Sequence, residues 1–347
     1  MFRNTRLHDR LPNGMIKGAS AAGSTVQPKE DRMLNWASAA LAVCTALMGI
    51  ACSAAPDEVG VQGTYDGTWK QGDATGEAQA EVIALGGNAY KVYLTRKIDA
   101  KRTSKAELEG KAEGEKLALA GKVGDTEWAA SWTNGEIRGQ AGKDLAFELK
   151  RTVRKPPTLG KAPPEGAVVI LDGKSFDRAV KRDGADWKLV GDGGVQVPTG
   201  GIRTKEAFEG NLDIHLEFRC NFRPTSRGQG RGNSGFYLPN GSELQILDSF
   251  GFKPSPGSCG AFYAEKPPLA NASLPPMQWQ TYDIEYRTRS RKGKKTGKPW
   301  VTVLHNGVKI HDGVELRRSL RKAQMYLQDH HNPVCFRNFW LVPVEGK

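Results

Sequence analysis

Hydrophobic and polar residues alternate with a period of two along most of the chain beyond residue 57, in short runs separated by Gly and Asn-Gly turns. This pattern is typical of antiparallel strands joined by hairpins. In residues 58–153 it predicts a small antiparallel β domain, a meander that curls into a barrel-like form. The strands predicted there are Gly63–Trp69, Ala78–Ala84, Tyr90–Thr95, Ala106–Glu109, Leu117–Gly121, Glu127–Thr133, Glu136–Gln140 and Leu145–Arg151.

This first domain carries no sign of a catalytic site, because it contains no histidine and its acidic residues are scattered over turns. Its tyrosines and tryptophans are predicted to fill the core and mouth of the barrel, and a sugar-binding platform is the alternative. The domain is therefore interpreted as accessory.

Residues 154–166 contain a proline-rich segment, Lys155–Glu165, which predicts a semi-rigid linker. Residues 167–347 then return to short alternating runs without crossover helices, a spacing that predicts a two-sheet β-sandwich. The expected fold class is all-β, a sandwich preceded by the barrel-like domain. The strands predicted after the first one at Val168 are Trp187–Val190, Gly194–Val197, Leu212–Cys220, Ser234–Leu238, Glu243–Asp248, Gly260–Tyr263, Gln280–Arg287, Trp300–His305, Val308–Asp312, Met325–His330 and Val334–Val342.

Residues 1–55 are predicted to be an upstream tail followed by a leader. The apolar run Trp36–Ala51 has the length of a signal peptide and is shorter than the roughly 20 residues of a membrane-spanning helix. Small residues around Cys52 provide a cleavage site, so export to the periplasm, the cell envelope or the medium is expected. A lipid anchor on Cys52, or an uncleaved leader, is the alternative and the only membrane attachment considered.

The formal charge of +12 raises the question of a nucleic-acid partner. Seven of the basic residues lie in Arg287–Lys298, and no stacking aromatic residues are interleaved with them. This run is predicted to be an exposed, solvated hairpin loop, and no nucleic-acid partner is expected.

Without the leader, the cysteines are Cys220, Cys259 and Cys335. Their odd number and wide spacing exclude a disulfide framework and a C-x-x-C metal site. One disulfide with one free thiol, or three buried thiols, both remain open.

The strongest candidate for chemistry is the segment Glu243–Asp248, which alternates between two glycine-rich turns. Glu243 and Gln245 share one face of a regular strand, and a β-bulge would bring Asp248 to the same face. Two carboxyl groups held close on a strand fit glycosidic-bond cleavage, in which one donates a proton and the other acts as base or nucleophile. The alternative is that both acids are solvated positions on an outer strand.

Other segments of the second domain supply polar side chains that could converge on Glu243. Asn233 precedes a strand, Tyr263 offers a phenol, and Gln328 and His330 lie where a strand runs into a turn. His330 is a candidate acid or base near neutral pH, and a turn histidine bonded to backbone is the alternative. The other histidines lack ligand spacing, so neither a metal site nor any cofactor is expected.

The second domain also resembles the 3-keto-disaccharide hydrolase domain family over about residues 168–343. The matching segments are Leu171–Ser175, Trp187, Gly201–Thr204, Leu216–Arg219, Asn233–Tyr237, Glu243–Ser249, Cys259–Tyr263, Trp279–Ile284, Asn306–Val308, Leu327–His330 and Phe336–Asn338. This resemblance implies a concanavalin A-like jelly-roll sandwich. It also implies hydrolysis of glycosides whose sugar carries a 3-keto group.

Matched to this family, Glu243, Asp248 and His330 are the acid and base candidates. Residues that would contact the saccharide substrate are Gln245, Asn233, Tyr263, Gln328 and Arg337. The middle position of the Glu243 strand is Gln245, where retaining glucanases of the same sandwich have an acid, which disfavours double displacement. An exported 3-keto-glycoside hydrolase is the first hypothesis.

Two other functions are weighed against this hypothesis. The rival is a non-catalytic carbohydrate-binding protein on the same sandwich, and the third is an anchored structural protein whose basic loop contacts an anionic glycan. Convergence of the two acids and the histidine in one pocket would favour the enzyme. The sequence contains no indication of the oligomeric state.

Overall fold

The computed structural model describes residues 57–345, which all belong to one compact unit. The predicted upstream tail, the leader with its apolar run, and Cys52 lie outside the described residues. No helix among residues 57–345 has the length and apolar character needed to cross a membrane.

A closed antiparallel barrel forms the first part of the unit, after the short helix α1 (Glu58–Val61). Every strand pairs with its neighbour in sequence, and the last strand pairs back on the first, with Thr64 opposite Thr152. The strands are β1 (Gly63–Gln71), β2 (Ala74–Gly86), β3 (Ala89–Lys97), β4 (Thr103–Glu113), β5 (Lys116–Val123), β6 (Thr126–Thr133), β7 (Glu136–Ala141) and β8 (Leu145–Thr152).

The barrel interior is filled by the side chains that alternate inward, as expected for a barrel of this size. Most of its aromatic residues belong to the core, and buried Tyr65 accepts a hydrogen bond of 2.8 Å from Trp132 Nε1 and donates one of 2.6 Å to the Val61 carbonyl. The prediction of core positions is confirmed for Tyr65, Trp69, Tyr90, Trp128 and Trp132, whereas Tyr93 points outward between the buried Val92 and Leu94.

The second part is a sandwich of two antiparallel sheets. The five-stranded sheet contains, in spatial order, β10 (Ala179–Lys181), β13 (Ile202–Thr204), β20 (Tyr326–Leu327), β15 (Ser234–Tyr237) and β16 (Glu243–Ile246). The other sheet contains β11 (Lys188–Val190), β12 (Gly194–Gln196), β21 (Cys335–Val344), β14 (Asn211–Arg219), β17 (Gln280–Arg287), β18 (Trp300–His305) and β19 (Val308–Glu315), and β9 (Val168–Leu171) pairs with β21. The all-β expectation, a barrel followed by a sandwich, is confirmed.

The core of the sandwich lies between the facing sides of the two sheets. Phe236, Leu244 and Leu327 of the five-stranded sheet pack against Leu216 and Phe339 of the eight-stranded sheet, all of them buried. Because side chains alternate along a strand, the neighbours of these residues point away from the core. The outer face of each sheet is therefore free to carry polar groups.

The linker after β8 lies on the outer face of the eight-stranded sheet. The Thr158 hydroxyl donates to Asp283 Oδ2 over 2.6 Å, and the Gly160 amide donates to Glu217 Oε1, also over 2.6 Å. The Lys161 carbonyl accepts a bond of 2.9 Å from the Asn338 amide. Residues 158–161 of the linker are thus hydrogen-bonded to the sandwich.

Two local expectations differ from the structure. Strand β16 ends at Ile246, so Asp248 lies beyond the strand and no bulge brings it to the face of Glu243. The segment Gly260–Tyr263 is a loop in which Phe262 forms isolated bridges with Leu244 and with Lys266. Gly260 has a φ of 79°, a left-handed conformation that is incompatible with a regular strand.

Candidate functional site

The outer face of the five-stranded sheet carries a row of polar and aromatic side chains. The register places Arg203 of β13 opposite Tyr326 of β20, Tyr326 opposite Tyr237 of β15, and Tyr237 opposite Glu243 of β16. The Arg203 guanidinium lies 4.2 Å from the centroid of the Tyr326 ring, and the Tyr326 and Tyr237 centroids are 5.5 Å apart. The row forms a continuous surface that ends in a carboxyl group.

Glu243 is half-buried in this row because the opposing strand leaves it room. A Cβ atom on Gly235, which lies opposite Gln245 and diagonal to Glu243, would collide with the Glu243 carboxyl group. Burial raises the pKa of Glu243, and the hydrogen bond from Tyr237 together with the charges of His330 and Arg318 offsets part of that rise. A carboxyl group in this environment exchanges a proton nearer to neutral pH than a solvated one.

The cleft beside Glu243 has a volume of about 450 Å³, which suits a saccharide unit. Tyr237, Glu243, Tyr263 and Arg318 line it. Tyr263 stands at the rim with 45% of its surface exposed, so its ring is accessible to a ligand. Glu243 and Tyr263 were expected here from the sequence.

Sequence reasoning missed Tyr237 and Arg318. Tyr237 is the last residue of the motif Asn233–Tyr237, which carries the family resemblance and was the signal that could have identified it. Arg318 lies in a loop far along the chain, and no sequence pattern connects that loop with β16.

Gln245 and Asn233 lie next to this cleft but are covered by a loop. The Gln229 side-chain oxygen accepts bonds of 2.7 Å from Gln245 Nε2 and 3.0 Å from Asn233 Nδ2, and Gln229 Nε2 donates to the Gly257 carbonyl. Gln245 and Asn233 are 1% and 2% exposed. In this structure both amides are bound to Gln229, so contact with a substrate requires that loop to move.

Gln328 and His330 lie past the end of β20, which stops at Leu327 and not at His330 as predicted. Gln328 Nε2 donates to the Tyr237 hydroxyl over 3.3 Å, which connects it to Glu243 through the phenol. His330 is exposed, its carbonyl accepts a 2.9 Å bond from Asn332, and its charge influences Glu243. The structure therefore brings His330, Gln328 and Glu243 to one region.

Asp248 is placed differently from the expectation. Its carboxylate accepts two hydrogen bonds from Arg231, of 2.7 and 3.1 Å, and the side chains of the two residues are 0% and 2% exposed. Burial raises the pKa of Asp248, and the Arg231 guanidinium opposes that rise. The carboxyl group has no access to the cleft, and its contacts are those of a structural ion pair.

Arg337 lies on the other sheet, facing away from the core and from Glu243. It donates to Glu217 Oε2 over 2.7 Å and stacks on the Trp279 ring at 4.2 Å. The alternation along β21 explains this, because Phe336 beside it points into the core. The expected contact between Arg337 and the substrate of the Glu243 site does not fit this placement.

The three buried histidines are not among the residues that line the cleft. Burial lowers the pKa of His305 to about 3 and that of His311 to about 4, so both are neutral, whereas His215 bonds Asp283. No group of three His, Cys, Asp or Glu side chains within residues 57–345 has the arrangement of a metal site. The three cysteines of the described part are buried free thiols.

An all-β sandwich with a saccharide-sized cleft and a half-buried carboxyl group on its outer face defines the general class of this domain. Residues 166–342, about half of the chain, match the family of 3-keto-alpha-glucoside-1,2-lyase-like domains. The chain belongs to this family, and the membership indicates a carbohydrate-active role.

Two crystal structures of candidate glycosyl hydrolases from Parabacteroides distasonis are similar to part of the chain. The first is 31% identical, with a TM-score of 0.46, and the match covers 52% of this chain and 85% of that one. The second is 20% identical, with a TM-score of 0.38, and the match covers 56% and 99%. None of the curated proteins matches the chain.

Proposed function

We propose that the cleft on the five-stranded sheet binds a glycoside with a 3-keto sugar and that Glu243 starts the cleavage of its glycosidic bond. The observation that carries the proposal is Glu243 itself. It is a half-buried carboxyl group on a strand, with a raised pKa, a hydrogen bond from Tyr237 and the nearby charge of His330. Such a group is suited to removing a proton from carbon.

The chemistry begins with the ketone, which acidifies the hydrogen on C2. Glu243 removes this hydrogen as a proton, the C1–C2 double bond forms, and the bond from C1 to the aglycone oxygen breaks. Negative charge collects on the ketone oxygen in the transition state. A fixed positive charge near that oxygen stabilises the transition state more than the substrate.

Residues in the cleft, together with His330 near Glu243, are assigned the remaining roles. His330, as imidazolium, gives its proton to the departing aglycone oxygen. Arg318, on the cleft wall, supplies positive charge for the enolate oxygen. Tyr237 holds the Glu243 carboxylate in place, and Tyr263 at the rim contacts the saccharide.

Addition of water to the unsaturated sugar completes a net hydrolysis. Protonated Glu243 returns a proton to C2, and neutral His330 takes a proton from the water whose oxygen bonds to C1. Both residues thereby return to their starting states. The products are the free 3-keto sugar and the aglycone alcohol.

Release of the aglycone from a 3-keto-glucoside by the purified protein tests the proposal, with the unoxidised glucoside as the control substrate. We expect release from the keto substrate alone and a loss of about a hundredfold or more in kcat for Glu243→Gln. Release from neither substrate, together with measurable glycan binding, would contradict catalysis and favour the carbohydrate-binding alternative.

We further propose that the protein is exported, on the strength of the apolar run Trp36–Ala51 and the small residues that follow it. Fractionation of cells that produce the full chain tests this, beside a Cys52→Ser variant. If the protein is exported, it should be found outside the cytoplasm. If Cys52 carries a lipid anchor, the wild-type protein should stay in the membrane fraction and only the Cys52→Ser variant should be released from it. Protein found only in the cytoplasm would contradict export.

A further inference from the structure

The barrel has a buried residue on its outside. Ile83 lies on β2 between Val82 and Ala84, which both belong to the barrel core, so its side chain points outward. It is nevertheless 0% exposed. Gly251, which follows β16 of the sandwich, lies so close that a Cβ atom there would collide with Ile83. The break in alternation marks a contact between barrel and sandwich.

A loop of the sandwich makes further contacts with the barrel. This segment, Asn221–Gly232, is called the bridging loop here. Its Arg227 donates to the Leu85 carbonyl at the end of β2 over 3.0 Å, and its Phe222 packs against the barrel core. Gly86 has a φ of 85°, and a Cβ atom there would collide with the Thr225 side chain.

The same bridging loop reaches the residues around Glu243. Arg223 donates to Asn332 over 2.9 Å, and Asn332 in turn donates to the carbonyl of His330. Gln229 holds the Gln245 side chain at 2.7 Å.

An ion pair fixes the far end of the bridging loop. Arg231 is bonded to Asp248, which belongs to the segment after β16. A set of direct contacts thus leads from the outside of the barrel to Gln245, on the strand of Glu243, and to the turn that carries His330.

We propose that the barrel is a positioning element for the active site: it holds the bridging loop, and the loop orients the His330 turn and the Gln245 amide. The inference rests on the proposed function, because it assigns this loop a part in the same reaction. Ile83 and Arg227 are positioning residues, since neither contacts the cleft. Groups held by a network lose their productive geometry when one anchor is released.

Amide hydrogen exchange and steady-state kinetics on the full chain test this inference. Ile83→Asp places a charge in the buried contact, Ile83→Val keeps an apolar side chain there, and Arg227→Ala removes the contact from the sandwich side. Val123→Asp is the matched control, because Val123 is an exposed barrel residue with 39% of its surface accessible.

We expect Ile83→Asp and Arg227→Ala to lose exchange protection in residues 221–232 and 330–332, with kcat for a 3-keto-glucoside reduced about tenfold or more and KM changed less. Ile83→Val and the control should keep both properties. Unchanged exchange in the bridging loop, or faster exchange with unchanged kcat, would overturn the inference. If the wild-type protein releases no aglycone, the proposed function fails, and exchange at residues 330–332 still decides whether the barrel holds the His330 turn.

Discussion

At the scale of single residues, the environment of Glu243 decides what the cleft can do. Its carboxyl group is buried enough to resist ionisation and is held by a phenol that stabilises the ionised form. These two opposing influences are typical of a group that must gain and lose a proton in each cycle.

These two influences on the pKa of Glu243 predict how Tyr237→Phe changes the pH dependence of kcat/KM. Loss of the phenol removes a hydrogen bond that favours the carboxylate, so the pKa of Glu243 rises further. Because the base must be ionised to act, the acidic limb of kcat/KM should move to higher pH. Tyr326→Phe is the matched control, since its hydroxyl bonds the Gly200 carbonyl instead. An acidic limb that stays in place in Tyr237→Phe would contradict the assignment of Glu243 as the base.

For Asp248 we expect an effect on the stability of the protein, because its carboxylate belongs to a buried ion pair. Asp248→Asn leaves the buried Arg231 charge without its carboxylate, which should lower the free energy of unfolding by about 3 kcal/mol. Asp312→Asn, which removes a partner of Arg291 at the surface, should barely change the urea midpoint. Equal midpoints for the two variants would contradict the structural role of Asp248.

At the scale of elements, the linker and the eight-stranded sheet share a buried polar network. Burial by itself would raise the pKa of Glu217, but hydrogen bonds from His215, Asn338, Gly160 and Arg337 outweigh it and lower that pKa to about 2. The ordinary value is 4.5. The ionised group therefore stabilises the fold above pH 4.5, and this contribution is lost as the pH falls through about 2.

Glu217→Gln removes this pH dependence. Between pH 5 and pH 2 the wild-type protein should lose roughly 3 kcal/mol more of its unfolding free energy than the variant does. Urea titrations of both proteins at several pH values measure the difference. His215 does not alter the sign, because its pKa is raised above 6.5 and it stays protonated throughout this range. Parallel pH profiles would contradict the role of the network.

Much of the architecture could be predicted from alternation and turn residues alone. The eight barrel strands and the strand of Glu243 fall where the pattern places them, because burial of one strand face imposes a period of two. The positions of Asp248 and Arg337 could not be predicted in this way. Asp248 lies past the end of its strand, and the face of Arg337 depends on which side of β21 meets the core.

At the scale of the whole molecule, contacts between distant segments carry the information that the sequence pattern lacks. Arg318 lines the cleft from a distant loop, and the bridging loop connects the barrel with Gln245 and the His330 turn. Three consecutive buried residues at Val82–Ala84 were a visible break in alternation, but nothing in the sequence says which surface covers Ile83. The barrel was interpreted as accessory because it has no histidine and its acidic residues are scattered, and its contacts with the sandwich add the positioning role that we propose.

The fate of the hydrogen on C2 tests the central claim most directly. A 3-keto-glucoside is cleaved in D₂O by the purified protein, and the isotope on C2 of the released sugar is read by mass spectrometry and NMR. Samples of substrate and product without protein correct for spontaneous exchange. Proton removal by Glu243, exchange of the resulting carboxyl proton with D₂O, and its return to C2 as water adds to C1 predict deuterium at C2 in the released sugar. Release of a sugar that keeps its original hydrogen would contradict elimination and point to direct displacement at C1.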